Sequence, residues 1–350
     1  MIESKLSFMV DSLREMLGQF ADILAGYRER SGERLCGSLC DLIPPEIPAA
    51  RGMRVLRIPA PSAGGCRAGG LDCLGDLGGV YDCVVAPATC ARRDHVAVSG
   101  APLLWFEMPT GWGDEARRIL EERLDAFLLD AGCGGLSSVD GAALRAVTEE
   151  YNALRRLVRG IAAARREKPE LLSCRDLAVI MEAASALPPS VTGEPLAAIL
   201  RALDRGEGGA RIDLPAVLVY AGCTGESAVL DEIEEAGCLI VEDDACSGRR
   251  QFDMSHDAGA ADLPGEILDA CTYRPLCPSV RPLGERVELF YAMMKSHGID
   301  AVIFIEDLCC PARGVEIAPL RVRLMRSGVD PLVATLADAA TRVRAYLARG

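Results

Sequence analysis

The sequence predicts an α/β fold, because short apolar segments alternate with segments of helical periodicity in two separate parts of the chain. The alternation runs from residue 50 to 105 and again from residue 215 to 350. Between these parts, residues 114–207 carry apolar side chains at three- and four-residue steps, which is typical of helices. Strands that alternate with helices of about 10–15 residues form parallel sheets with both faces covered. We therefore expect two parallel-sheet domains with a helical segment between them.

The expected domain boundaries follow from these changes of pattern. Residues 1–30 are predicted as an N-terminal helix, 31–113 as the first α/β domain, 114–210 as the helical segment and 211–350 as the second α/β domain. Apolar residues at helical spacing predict a single amphipathic helix over Met1 to Tyr27. Charged residues interrupt this segment, so it does not have the apolar core of a signal peptide.

Short segments rich in aliphatic and aromatic residues predict the strands of both domains. In the first domain they are 53–58, 81–86 and 102–109, the last closed by a proline. In the second domain the predicted strands are 215–221, 239–241, 301–305 and 331–335. The predicted helices of that domain are 226–236, 284–297, 317–327 and a last helix that begins near residue 339.

Charge and composition exclude several classes of function. The chain has 38 basic and 51 acidic side chains, and its net charge of −13 repels phosphate backbones and anionic lipid surfaces. Seven Phe, 7 Tyr and 2 Trp leave few rings for stacking on bases, and three histidines leave little for histidine-based catalysis. No apolar run reaches the length of a membrane span, about 18 residues. We expect a cytoplasmic protein without a nucleic-acid or membrane partner.

The 15 cysteines are the unusual feature of the composition. An odd number of cysteines in a long chain does not resemble a small disulfide scaffold, so we expect reduced thiols. Three interpretations are open: buried core residues, a zinc site or an iron–sulfur cluster. The absence of any Cys-x-x-Cys pair disfavours zinc knuckles and ferredoxin-type clusters.

The positions of the cysteines separate these interpretations in part. Cys238 lies between a predicted helix and a predicted strand and is expected in the core. Several others follow predicted strands directly, namely Cys90, Cys223, Cys246 and the pair Cys309 and Cys310. Parallel sheets bind ligands beyond the carboxyl ends of their strands, so this placement favours a cluster.

Short motifs along almost the whole chain occur in the order that one known family shows. They are Gly37–Met53 with Pro44-Pro45-Glu46, Asp82–Arg93 with Cys90, Glu107-Met108-Pro109, Tyr151–Arg156, Asp243–Arg249, Cys277-Pro278 with Arg281, Asp300–Phe304, Cys309-Cys310-Pro311 and Thr341–Tyr346. Each motif alone is weak evidence. Together they resemble the 2-hydroxyacyl-CoA dehydratase and benzoyl-CoA reductase D-component family, which also contains double-cubane-cluster reductases.

The resemblance implies two Rossmann-like or flavodoxin-like parallel-sheet domains with a helical segment between them. It also implies a [4Fe–4S] cluster, or a double-cubane cluster, held by three cysteines of the chain. Carried over by motif, these ligands are Cys66, Cys90 and Cys309. Cys73 is the alternative to Cys66, and Cys310 is the alternative to Cys309. Three thiolates leave one iron open to other ligands, whereas four thiolates leave the cluster an electron carrier.

The implied function is that of an iron–sulfur subunit of a low-potential, ATP-activated 2-hydroxyacyl-CoA dehydratase or aryl-CoA reductase, with radical chemistry on a CoA thioester. The sequence has no Gly-x-x-x-x-Gly-Lys-[Ser/Thr] loop, so a separate ATP-hydrolysing iron–sulfur activator is expected as the electron source. The expected dimer partner is a homologous second subunit or a second copy of the chain. Two alternatives are open: a homodimeric double-cubane-cluster reductase of small molecules, and a non-catalytic, cluster-holding electron-transfer partner.

Glu46 has two interpretations. It directly follows Pro44 and Pro45, so its carboxylate is favoured in the first turn of a helix by the helix dipole. The resemblance makes it a candidate catalytic acid or base. Arg249 and Arg281 are candidates for contact with the phosphates of CoA.

Overall fold

The computed structural model describes residues 5–41, 43–59, 79–90, 98, 100–206, 214–221, 227–245, 248–273, 277, 279–281, 283–306 and 311–348, with only the backbone at 227, 228, 249, 250 and 311. The strands are β1 (Arg34–Ser38), β2 (Met53–Arg57), β3 (Cys83–Pro87), β4 (Leu103–Phe106), β5 (Ala216–Tyr220), β6 (Leu239–Asp244), β7 (Ala301–Glu306) and β8 (Leu332–Thr335). The helices are α1 (Lys5–Gly18), α2 (Phe20–Ser31), α3 (Glu46–Ala50), α4 (Asp114–Asp130), α5 (Gly141–Glu167), α6 (Cys174–Ala186), α7 (Pro189–Asp204), α8 (Ser227–Glu235), α9 (Leu263–Tyr273), α10 (Leu283–His297), α11 (Pro311–Arg326) and α12 (Ala339–Leu347).

The first sheet is parallel and has the strand order β2-β1-β3-β4. Three of its strands match those predicted from apolar segments. The fourth, β1, is missing from the prediction, because only Leu35 and Cys36 among its five residues are apolar. It nevertheless occupies a central place, since it pairs with β2 on one side and β3 on the other.

The second sheet repeats this arrangement with the order β6-β5-β7-β8, and its pairs are also parallel. All four strands are those predicted from the sequence. The order 2-1-3-4 is that of the first four strands of flavodoxin-like sheets. The prediction of an α/β protein with two Rossmann-like or flavodoxin-like parallel sheets is therefore confirmed.

Helices cover both faces of each sheet. On the first sheet, α2 packs on one face and α4 together with α9 on the other. On the second sheet, α8 and α12 cover one face and α10 and α11 the other. The helix α9 follows β6 in the chain, yet it packs against α4 and the core of the first sheet. The domain boundaries at residues 30, 113 and 210 stay predictions.

The helices between the two sheets form a core of their own. Apolar residues of α5, α6 and α7 pack together with α1 from the N-terminal region. The prediction of one helix over Met1 to Tyr27 is wrong, since α1 and α2 are separated at Gln19, where the backbone leaves the helical region (φ −110°, ψ 19°). The helix predicted at 317–327 begins earlier, because Pro311 suits the first helical position.

Gly37 in β1 allows close packing at the centre of the first sheet. A methyl group built on it would lie 3.0 Å from side-chain atoms of Ile58 and Tyr81. Overpacking a core costs about 1–3 kcal/mol, so we expect Gly37→Ala to lower the midpoint of thermal unfolding by about 2–4 °C or more. Gly18→Ala is the matched control, because nothing lies within 4 Å of that position. Equal midpoints for the two variants, measured by circular dichroism, would contradict this packing.

Candidate functional site

A cleft of about 80 Å³ lies at the carboxyl ends of β1 and β2. Ser38 and Arg57, the last residues of these strands, line one side of it. Tyr151 and Arg155 from α5 line the other side, together with Phe252. Ligands of open parallel sheets bind at this end of the strands. A cleft of this size accommodates a small group of atoms but is smaller than the pockets that enclose a whole cofactor.

Glu46 is the first residue of α3 and is fully buried next to this cleft. Its Oε1 atom lies 2.5 Å from Nη1 of Arg155, which reaches it from α5. Neither carboxylate oxygen has a partner with hydrogen-bond geometry among the described residues. Glu46 thus begins a helix, as the two prolines before it predict, but its carboxylate is held inside the protein by an ion pair.

His256 and Glu266 extend this arrangement, and we call Glu46, Arg155, His256 and Glu266 the Glu46 cluster. Nε2 of His256 lies 3.7 Å from Oε1 of Glu46, and Nδ1 lies 3.6 Å from Oε1 of Glu266. Asn152 holds the backbone of His256 in place. Its Nδ2 donates to the carbonyl oxygen of His256 at 2.6 Å, and its Oδ1 accepts from the His256 amide at 3.1 Å.

The electrostatics of the cluster determine the charge of its members. Burial opposes the ionisation of Glu46, but the guanidinium of Arg155 outweighs it, and the pKa of Glu46 is lowered. Burial and the nearby Arg155 lower the pKa of His256, although Glu46 and Glu266 act in the opposite direction. At neutral pH the Glu46 carboxylate is therefore ionised and the His256 imidazole is neutral.

Tyr151 is a second polar group beside the cleft. Its hydroxyl is buried and has no hydrogen-bond partner in the part of the chain that the structure describes. Burial raises the pKa of Tyr151, so the phenol is neutral. The guanidinium groups of Arg54 and Arg155 each lie 5.9 Å from its ring centre. The hydroxyl of Tyr151 and the carboxylate of Glu46 are thus buried polar groups beside a cleft, and both are candidates for contact with a ligand.

Of the predicted cluster ligands, the described residues include Cys90. The other candidates lie outside them: Cys66, Cys73, Cys309 and Cys310. Cys90 follows the last residue of β3, Pro87, closely and is half-buried, and its amide donates to the Pro87 carbonyl oxygen at 3.2 Å. Across the described ranges, no group of three or more His, Cys, Asp or Glu side chains is arranged to hold a metal ion.

Cys40 is a further thiol at the cleft, and the sequence analysis does not single it out. It follows β1, lines the cleft and is half-buried. Because β1 and β3 are neighbouring strands, Cys40 and Cys90 follow strand ends on the same edge of the sheet. Had β1 been recognised, the same rule that selected Cys90 would have selected Cys40.

The buried cysteines behave as core residues. They are Cys36, Cys83, Cys133, Cys174, Cys238 and Cys271. The core prediction for Cys238 is confirmed, since its Sγ donates to the carbonyl oxygen of Ile233 at 3.3 Å and burial raises the pKa of its thiol to about 12. Burial also raises the pKa of Cys174. Protonated, enclosed thiols of this kind are chemically inert.

The carboxyl end of β6 in the second sheet carries a buried network of two carboxylates and two guanidinium groups. One of the guanidinium groups is that of Arg313, whose Nη1 donates to the carbonyl oxygen of Asp244 at 2.7 Å. Asp244, the last residue of β6, pairs with Arg286. Nε of Arg286 also lies 2.7 Å from Oε1 of Glu316, and the hydroxyl of Tyr220 donates to the same carboxylate at 2.6 Å. These groups satisfy one another inside the protein, so the network is suited to holding the second sheet and its helices together.

The two arginines considered for phosphate contact differ in what the structure describes. Arg281 is buried, and its Nη1 donates to the carbonyl oxygen of Gly111 at 2.7 Å. Its guanidinium also lies 5.9 Å from the ring centre of Trp112. Arg281 is therefore engaged inside the protein rather than displayed on the surface. The side chain of Arg249 lies outside the described residues.

The buried neutral imidazole makes stability depend on pH in a definite direction. The unfolded chain protonates His256 at about pH 6.5, whereas the folded chain does so only at lower pH. The stability from this group is present above about pH 6.5 and is lost as the pH falls toward the folded pKa. We expect the free energy of unfolding, measured in urea, to fall less between about pH 7.5 and about pH 5.5 in His256→Gln than in the unsubstituted protein. An equal loss would contradict a buried neutral His256.

Comparison with known proteins gives the family of the chain. The family model of the 2-hydroxyglutaryl-CoA dehydratase D-component matches residues 77–340, which is well over half of the sequence. A search among curated proteins finds no match. Among the helices that the structure describes, none combines the length and the apolarity needed to cross a membrane. The family match begins after Glu46 but contains Cys90, the helical segment and the whole second sheet. The chain belongs to the 2-hydroxyglutaryl-CoA dehydratase D-component family, in agreement with the order of its motifs.

Proposed function

We propose that this chain is the iron–sulfur subunit of an ATP-activated enzyme that acts on CoA thioesters, either a 2-hydroxyacyl-CoA dehydratase or an aryl-CoA reductase. Family membership supports a subunit of the dehydratase or reductase type. One observation supports a specific site for this activity: Glu46 is buried and ionised next to a cleft at the carboxyl end of the first sheet. A carboxylate enclosed with a positioned donor suits general acid–base chemistry.

The polar wall of the cleft fits the acyl end of a thioester. Arg155 and Tyr151 both line the cleft, and both carry hydrogen-bond donors. We assign them to the carbonyl oxygen and the 2-hydroxyl of the substrate, where charge changes during the reaction. The ion pair with Glu46 sets the position of the Arg155 guanidinium before the substrate binds. The cleft of about 80 Å³ receives the acyl group, and the bulk of CoA lies outside it.

The proposed role of Glu46 is to move a proton. Dehydration removes the hydroxyl from carbon 2 and a proton from carbon 3 of the acyl chain, and together they leave as water. In our proposal the Glu46 carboxylate accepts the proton of carbon 3 and returns a proton to the departing hydroxyl. Arg155 lines the cleft and pairs with Glu46, which lies behind it. In our proposal the guanidinium therefore binds the substrate oxygen first, and the Glu46 carboxylate then accepts the proton.

The proposed ligands of the cluster are Cys66, Cys90 and Cys309, with Cys73 and Cys310 as the alternatives. Cys66 follows from the motif resemblance alone, whereas one observation each supports Cys90 and Cys309. Cys90 lies at the carboxyl end of β3, and the sequence position of Cys309 follows β7, which has the same place in the second sheet that β3 has in the first. When bound, the cluster supplies the low-potential electron that radical chemistry on a thioester requires.

The proposed partners follow from what the chain does not itself provide. Its sequence contains no phosphate-binding loop, so a separate ATP-hydrolysing iron–sulfur activator delivers the electron. The net charge of −13 gives the docking of this activator an electrostatic part that weakens as salt rises. A homologous second subunit, or a second copy of the chain, completes the proposed dimer.

The test of the function is an anaerobic turnover assay with 2-hydroxyglutaryl-CoA and a panel of other 2-hydroxyacyl and aryl thioesters, with activator, ATP and dithionite. We expect turnover only when activator and ATP are both present. Glu46→Gln is expected to lower turnover by about 100-fold or more, because the amide cannot accept the proton. Glu194→Gln, at an exposed position of α7, is the matched control. Full turnover of Glu46→Gln, or turnover without ATP, would contradict the proposal.

Iron content tests the cluster separately from activity. We expect about four iron atoms per chain after anaerobic purification, or about twice that number for a double cubane. Cys90→Ala is expected to lose the cluster, whereas Cys238→Ala keeps it, because Cys238 is a core thiol bonded to Ile233. A zinc-loaded protein, or equal iron in both variants, would contradict the assignment of Cys90.

A further inference from the structure

Three groups of the Glu46 cluster form a row that leads from the interior to the surface. The side chain of Glu46 is 0% exposed, that of His256 is 1% exposed and that of Glu266 is 34% exposed. The imidazole lies between the two carboxylates with one ring nitrogen toward each, at 3.7 Å and 3.6 Å. The buried carboxylate of Glu46 therefore has two neighbours, the titratable imidazole of His256 and the guanidinium of Arg155.

One face of α5 holds this row in position. Asn152 and Arg155 are three residues apart, and residues at this spacing lie on the same helix face. Arg155 pairs with Glu46, while Asn152 binds both backbone groups of His256. The imidazole is thus fixed relative to the carboxylate by a rigid element rather than by a loop alone.

The charged groups around His256 keep its ring in the state that can pass a proton on. Glu46 faces it from α3, Arg155 from α5 and Glu266 from α9. The balance of burial and these charges leaves the imidazole neutral at neutral pH. A neutral imidazole has one N–H and one lone pair, so it accepts a proton at one nitrogen while it releases a proton from the other.

We propose that His256 and Glu266 form a proton-transfer path between Glu46 and solvent. The inference rests on the proposed function, in which Glu46 takes a proton from the substrate. Protonated Glu46 donates to Nε2 of His256, Nδ1 releases its proton to the carboxylate of Glu266, and Glu266 releases it to water. The path runs once in each direction per turnover: the proton from carbon 3 leaves through it, and a proton from water enters through it to Glu46 and passes to the departing hydroxyl. No net proton is released, and the inward transfer returns the imidazole to its starting tautomer. The separations of 3.6 and 3.7 Å shorten to hydrogen bonds by small side-chain rotations.

A purely structural histidine is the competing explanation. In that case the loss of His256 would lower stability, and the loss of activity would follow from misplacement of Glu46. Two observables separate the explanations. A path depends on the charge of Glu266 at the outer end of the row, and a missing imidazole can be replaced by free imidazole in solution.

The first test uses the resting protein without substrate. The chain has three histidines, so carbon-13 labelling of histidine gives three imidazole signals, and the signal of His256 is the one absent from His256→Gln. We expect Glu266→Gln to lower the pKa of His256 further, because it removes a carboxylate that favours the imidazolium. Glu194→Gln, the exposed control, is expected to leave it unchanged. An unchanged His256 titration in Glu266→Gln would overturn the path.

The second test uses anaerobic turnover of 2-hydroxyglutaryl-CoA with activator and ATP. We expect His256→Ala to lower turnover about 100-fold and free imidazole to restore a part of it, whereas imidazole restores nothing in Glu46→Gln. A loss in His256→Ala that imidazole does not restore would overturn the path in favour of a structural role. If Glu46→Gln is inactive while His256→Ala and Glu266→Gln are fully active, the path fails and the proposed function stands. If Glu46→Gln itself is fully active, the proposed function fails.

Discussion

The ion pair between Glu46 and Arg155 is the interaction on which the rest of the site depends. A carboxylate without any exposure stays ionised only next to a positive charge, and the guanidinium at 2.5 Å supplies it. Removing one partner of a buried pair leaves an uncompensated charge, at a cost of about 3–5 kcal/mol. The pair also joins α3, which follows the central strand β1, to α5 of the helical core. The ion pair therefore positions the Arg155 guanidinium in the cleft, opposite the ends of β1 and β2.

The two sheets share a strand order but differ at their carboxyl ends. In the first sheet the ends of β1 and β2 border the cleft, and the buried carboxylate of Glu46 lies next to it. In the second sheet the carboxylates of Asp244 and Glu316 both pair with Arg286, and the buried Arg313 lies next to Asp244. The first end thus has a buried ion pair next to a cleft, whereas the described charged groups at the second end pair with one another. This difference explains why we assign acid–base chemistry to the first sheet and a supporting role to the network of the second.

Local patterns in the sequence predict the sheets well and the site in part. Seven strands stand out as apolar segments, but β1 does not, because Gly37 and two polar residues leave it little apolar character. Glu46 is found through the prolines before it and the motif around it, and Cys90 through the strand before it. Their surroundings depend on contacts that no local pattern contains: Asn152 and His256 are 104 residues apart in the chain. With three histidines in the sequence, composition suggests little histidine chemistry, yet one of the three lies against the buried carboxylate.

The central claim is that the cleft beside Glu46 receives the acyl group of a CoA thioester. An anaerobic crystal structure of the cluster-loaded protein with bound 2-hydroxyglutaryl-CoA tests it most directly. The account predicts the acyl group in this cleft, with the thioester oxygen or the 2-hydroxyl within hydrogen-bond distance of Arg155 and Tyr151, and Glu46 no longer paired with Arg155 alone. An acyl group bound elsewhere, with the pair of Glu46 and Arg155 unchanged, would contradict the account.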